Sequence, residues 1–124
     1  MKTSILVDTD IIIQYLKTGK GVLPTAYEKY TMFISAATYT ELLSSKTFND
    51  NNLEKEVLEF VDKYFNVKEI SKDIAHHAAK LVREHELNLT VSYIASTALT
   101  QEMELLTEDL KTFNKIPGIK FIQL

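Results

Sequence analysis

The chain has 124 residues, 45% hydrophobic and 25% charged, with a formal net charge of −3 at pH 7. That is the length and apolar content of one globular domain, and the absence of cysteine excludes disulfides and thiolate metal sites and points to a reducing cytoplasm. The acidic balance excludes a large basic footprint for nucleic acid but leaves room for a local one, and "MKTSILVDTDIII" is neither a signal peptide nor long enough to span a bilayer.

In chain order, "SILVD" predicts a strand covered on both faces, because its aliphatic residues run unbroken. A helix follows from about Ile11 to Lys17 and ends near Gly19 and Gly21, with "LPTAYEKY" as a short helix after it. "TMFIS" is a second strand and "AATYTELLSS" has helical spacing. In "NLEKEVLEFVDKYF", Leu53, Val57, Leu58, Val61 and Phe65 share one face of an amphipathic helix. "NVKEI" is a weaker strand, Lys72 to His85 a helix, and "VSYIASTALTQEM" a helix rich in small residues. "ELLT" is a short strand, Asp109 to Phe113 a helical turn, and "IKFIQL" a final strand. About five strands alternating with helices predict an α/β, three-layer sandwich with a mostly parallel central sheet. Sites in such sheets form outside the carboxyl ends of the strands.

Three acids from distant parts of the chain then fall on one edge. Asp8 ends the first strand, Glu41 lies in the helix after the second, and Asp109 follows "ELLT". Each also has a local explanation: Asp8 and Asp10 as helix caps, Glu41 in a capping box with Thr38, Asp109 in a helix capped by Thr107. Their common location is what capping leaves unexplained. Two carboxylates about 4 Å apart repel by roughly 4 kcal/mol at an effective dielectric near 20, and a divalent cation removes that cost. Oxygen ligands without cysteine, and histidines outside ligand spacing, favour Mg²⁺ or Mn²⁺, ions that orient a water against a phosphodiester.

"ILVDTDIIIQYLK", "ISAATYTELLSS" and "IASTALTQEMELLTEDLKTFNKIPGIKFIQL" resemble, in order and spacing, the three blocks of PIN-domain endoribonucleases, above all the VapC-type toxins of toxin–antitoxin pairs. The resemblance implies a Rossmann-like PIN fold, Mg²⁺- or Mn²⁺-dependent RNA cleavage, inhibition by a cognate antitoxin, and a homodimer. By position, Asp8 matches the first metal-binding aspartate, Glu41 the glutamate and Asp109 the acid after the "LLT" strand. Asp10 falls where the family more often has Asn or Ser, which implies a hydrogen-bonding or accessory acid there. Val91 departs from the pattern: it stands three residues before Ile94, where the family usually has an acid. Thr90 and Ser92 beside it do not supply the missing charge. Three explanations stand open: an inactivating substitution, a natural degenerate copy, and an active variant relying on Asp8, Glu41 and Asp109.

Two rivals remain. "ILVDTDIII" also fits the hydrophobic-DxDx pattern of haloacid dehalogenase-type phosphohydrolases, with Asp8 as nucleophile and Thr107 as second motif, although the later acidic pair of that family is not evident. A PIN domain that only binds RNA or an antitoxin is the other. His76, His77 and His85 read as core-edge or solvated residues, Lys17, Lys20, Lys111 and Lys115 as solvated or phosphate-contacting, and the six tyrosines as core or as a partner surface. A partner's Arg or Lys would suit the acidic cleft.

Overall fold

In the computed structural model, which describes residues 1–124 apart from the side chain of Asn51, four parallel strands stand in the order β3-β2-β1-β4. They are β1 (Thr3–Val7), β2 (Tyr30–Ser35), β3 (Asn66–Lys68) and β4 (Glu104–Leu106). The helices are α1 (Thr9–Thr18), α2 (Leu23–Lys29), α3 (Ala36–Leu42), α4 (Asn51–Tyr64), α5 (Lys72–His85), α6 (Leu89–Thr100) and α7 (Leu110–Phe113), with a 3-10 turn at Lys46–Asn49.

The unbroken apolar run of β1 is fully enclosed, and its alternation divides the core in two. Ile5 and Val7 pack with Met32, Ile34 and Leu106 on the face that carries Ile11, Ile12, Ala26 and Val61. Leu6 packs with Leu105 on the other face, against Leu81, Ile94, Ala98 and Phe113. Helices thus cover both sides of the sheet, giving the three layers expected. The small residues of α6 allow it to lie close to α5, and their hydroxyls are satisfied locally: Ser96 Oγ donates to Ile74 O at 2.8 Å and Thr97 Oγ1 to Tyr93 O at 2.7 Å.

The final strand is reduced to one bridge. "IKFIQL" meets β4 only at Leu105 and Phe121, with Leu105 N–H donating to Lys120 O at 2.8 Å and Ile122 N–H to Leu105 O at 2.9 Å. β4 is three residues long, so a ladder against it has little to extend along. The segment enters from Gly118, whose φ of 92° suits glycine.

The strand order fixes where a site can form. From β1 the chain builds outward through β2 and β3, then returns to place β4 on the other side of β1. The crevice between the carboxyl ends of β1 and β4 is the topological switch point, where open α/β sheets bind ligands.

Candidate active site

Asp8 and Thr107 stand side by side at that crevice, because Val7 and Leu106 are register partners and Asp8 N–H donates to Leu106 O at 2.9 Å. α1 starts at Thr9, earlier than expected, which puts Asp8 at its N-cap position, yet its carboxylate caps nothing there. It accepts instead from Thr107 Oγ1, at 2.7 Å. The same Thr107 oxygen accepts from Asp109 N–H at 2.9 Å. Asp109 itself is the N-cap of α7 and accepts from Thr112 N–H at 3.3 Å, so the expected cap shifts from Thr107 to Asp109.

Asp8 is 5% exposed. Burial pushes its carboxyl up to about 6, the carboxylates of Asp10 and Asp109 push the same way, and the Thr107 hydroxyl and the Thr9 backbone oppose them. Among the described residues no Lys, Arg or His stands within ion-pair distance of Asp8, Asp10, Glu41 or Asp109; the ion pairs present, Lys80–Glu84 and His85–Glu84, lie on α5. The crevice therefore holds negative charge that no side chain neutralises.

Glu41 does not join this group through a direct contact. The Thr38–Glu41 capping box does not form, because Ser35, one residue before α3, accepts from Ala37 N–H at 3.0 Å and takes the cap. Glu41 is exposed, near the end of α3. What ties that helix to the crevice is a buried hydrogen bond that sequence reading missed, Thr9 Oγ1 to Thr38 Oγ1 at 2.9 Å. Both threonines lie beside residues singled out in the sequence, but nothing in their own spacing marks them as partners.

Val91 occupies the first turn of α6, where Asn88 Oδ1 accepts its N–H at 2.9 Å, and its side chain packs with Phe33 against the core cluster around Leu6 and Ile94. Among the described residues no three His, Asp or Glu side chains are grouped so as to enclose a metal ion. The donors nonetheless suit a hydrated Mg²⁺ or Mn²⁺: they are oxygens only, and Mg²⁺ commonly takes one or two carboxylates, keeps several waters and completes its shell with substrate phosphate.

His77 touches Ser96, and Lys17, Lys20, Lys111 and Lys115 are exposed. The tyrosines separate by position. Tyr15, Tyr27 and Tyr64 line a groove of about 340 Å³ with Leu23, Phe60 and Phe65, on the face of α1, α2 and α4. No helix among the described residues is long and apolar enough to cross a membrane.

The sequence matches the PIN domain family over residues 5–119, and no curated protein matches it. A chain of a toxin–antitoxin complex from Klebsiella pneumoniae is 31% identical, with 93% of this chain and 94% of that one aligned at a TM-score of 0.76. VapBC-1 from nontypeable Haemophilus influenzae aligns over 98% of both chains at 20% identity and a TM-score of 0.82. DNA-bound VapBC from Salmonella typhimurium aligns over 98% of both at 23% identity and 0.78; these two likenesses are of fold. With the family match spanning most of the sequence, and the four-stranded parallel sheet carrying Asp8 and Asp109 at its switch point, the chain belongs to the PIN domain family.

Proposed function

We propose that this PIN domain is the toxin of a toxin–antitoxin pair, a Mg²⁺- or Mn²⁺-dependent endoribonuclease acting in the cytoplasm as a homodimer, with activity lowered by Val91. The observation that carries the reading is the unneutralised Asp8–Thr107–Asp109 group at the end of β1. Family membership and the 31% identity to a chain from a toxin–antitoxin complex support the toxin assignment.

Asp8 and Asp109 are the residues that would hold the cation, with Glu41 and Asp10 as outer acids. When bound, such an ion activates a water and offsets charge on a phosphodiester under in-line attack. The residues of the chain prepare that site. Thr107 orients the Asp8 carboxylate, and with its carboxyl at about 6 Asp8 is mainly ionised at neutral pH. The Thr9–Thr38 hydrogen bond holds α1 against α3, the helix that carries Glu41. Val91 contributes packing where a fourth acid would contribute charge, and this favours weak metal binding.

Thermal melting in a Mg²⁺ or Mn²⁺ titration tests the reading, because an ion bound to the native state raises stability by mass action. A rise in melting temperature that is absent in Asp8→Asn supports it. No shift at millimolar ion favours a domain that binds RNA or antitoxin without cutting, and turnover of a chromogenic phosphomonoester favours the phosphohydrolase.

A further inference from the structure

The last residue of β3 is a lysine, and it ends at the same edge of the sheet as the acidic crevice. Lys68 is the register partner of Ser35 in β2, and because Leu6 pairs with Phe33, one step of alternation further along puts Asp8 level with Ser35 and so with Lys68. Neighbouring strands about 4.8 Å apart then leave roughly 10 Å between the backbones of Lys68 and Asp8.

Alternation also decides the face. Leu6 and Phe33 turn to the side of the sheet that carries Leu81, Ile94 and Phe113, and Asp8, Ser35 and Lys68 follow on that same side. Two contacts agree with this: Asp8 meets Thr107, which stands two residues past Leu105 of the same cluster, and Lys68 Nζ lies 5.1 Å from the Phe33 ring centroid. The ring holds the ammonium at the sheet edge.

No acid answers this charge. Lys68 forms no ion pair among the described residues, and Glu69 beside it is exposed. Phe33 and Val91 border the same cluster, so an apolar side chain stands where a carboxylate would compete for the ammonium. Between Lys68 and Asp8 the strand order places Ser35, whose hydroxyl oxygen accepts the Ala37 N–H at 3.0 Å.

The crevice itself repels an RNA backbone, because Asp8, Asp10 and Asp109 carry one sign of charge. A cation at Asp8 offsets that for one phosphate, and a flanking phosphate needs a counter-charge of its own. From the placement of Lys68 we infer that it is a substrate-positioning residue, whose ammonium takes the RNA phosphate flanking the one held at Asp8. A lysine suits this task, since its point charge on a flexible stem binds phosphate without demanding a fixed planar geometry.

The inference rests on the ribonuclease reading of the crevice. Its test is the fluorescence anisotropy of a labelled single-stranded RNA of mixed sequence, titrated at several salt concentrations in EDTA and again with Mg²⁺. Lys68→Gln keeps an aliphatic stem over Phe33 and loses the charge. It is expected to weaken binding about 3- to 10-fold and to lower the slope of log K against log salt by about 0.7, the share of one phosphate contact on a single strand. Lys68→Arg is expected to restore both to within about twofold, because the charge is kept. Lys55→Gln, exposed on α4 across the sheet, is expected to change neither. Unaltered affinity and slope in Lys68→Gln, or equal losses in Lys68→Gln and Lys55→Gln, overturn the phosphate contact and leave the ribonuclease reading standing. A Lys68→Arg protein as weak as Lys68→Gln shows a structural role and overturns it too. No RNA binding by the unaltered chain, with or without Mg²⁺, overturns the ribonuclease reading and the inference with it.

Discussion

The Thr107 hydroxyl donates to Asp8 Oδ2 at 2.7 Å while its oxygen accepts the Asp109 N–H at 2.9 Å, so one short side chain fixes the two acids that end β1 and begin α7. Thr107→Val keeps the shape and removes both bonds. It leaves a buried carboxylate without its donor, a loss of about 1–3 kcal/mol in unfolding free energy, whereas Thr107→Ser retains most of the stability. Urea denaturation at pH 7 checks this; equal midpoints for the Val and Ser variants would show that the hydroxyl does not matter.

Asp8 gives the protein a pH dependence of defined sign. Its carboxyl lies at about 6 in the folded chain against 3.8 in the reference state, mainly through burial. Between those values the folded protein keeps a proton that the unfolded chain has released, so stability falls as pH rises through that window and levels off above about pH 7. The loss is about 3 kcal/mol. Asp8→Asn removes it: in metal-free buffer the variant melts higher than the unaltered protein at pH 7, with the difference shrinking towards pH 4. Parallel melting curves across the range would contradict the assignment.

Thr9 and Thr38 are both buried and bonded to each other at 2.9 Å. Thr9→Val or Thr38→Val alone strands the remaining hydroxyl and costs about 1–2 kcal/mol, while the double variant regains part of that loss because no orphan is left. A double-mutant cycle by chemical denaturation reads the coupling, expected at about 0.5–1.5 kcal/mol; strict additivity would mean the two hydroxyls act independently.

Gly118 sits at φ 92°, with Leu99 Cδ2 only 3.1 Å from where a Cβ would stand. Gly118→Ala therefore strains both backbone and packing, and the variant is expected to lose about 1–2 kcal/mol. The loss should appear as faster amide exchange at Leu105 and Ile122, whose N–H groups bond Lys120 and Leu105. Unchanged exchange there would separate the glycine from the C-terminal bridge.

What was legible in the sequence was whatever rests on periodicity or on a single strand's burial. The run "SILVD" announced β1, and the helix from Lys72 to His85 has the bounds expected of it. The sequence placed Asp8, Glu41 and Asp109 on one edge because parallel strands bring their carboxyl ends there; Thr107 links Asp8 to Asp109, while Glu41 makes no direct contact with them. Other features depended on tertiary choices. Ser35 displaced Thr38 as cap because β2 ends there, freeing Thr38 for Thr9. "IKFIQL" has strand composition, but three-residue β4 offers it one bridge. The excess of tyrosine was visible, yet the joining of Tyr15, Tyr27 and Tyr64 into one groove depends on how α2 and α4 pack.

The most direct test of a metal-dependent ribonuclease site at Asp8 and Asp109 is Mn²⁺-dependent cleavage of a pool of structured RNAs by the unaltered chain, Val91→Asp and Asp8→Asn. At sub-saturating ion Val91→Asp is expected to cut at least about tenfold faster, about 1.4 kcal/mol of added ion affinity, and Asp8→Asn is expected not to cut. A Val91→Asp protein that cuts no faster than the unaltered chain at sub-saturating ion and needs as much ion to reach its full rate, or an Asp8→Asn protein that cuts as well as either, would contradict the metal-centred reading.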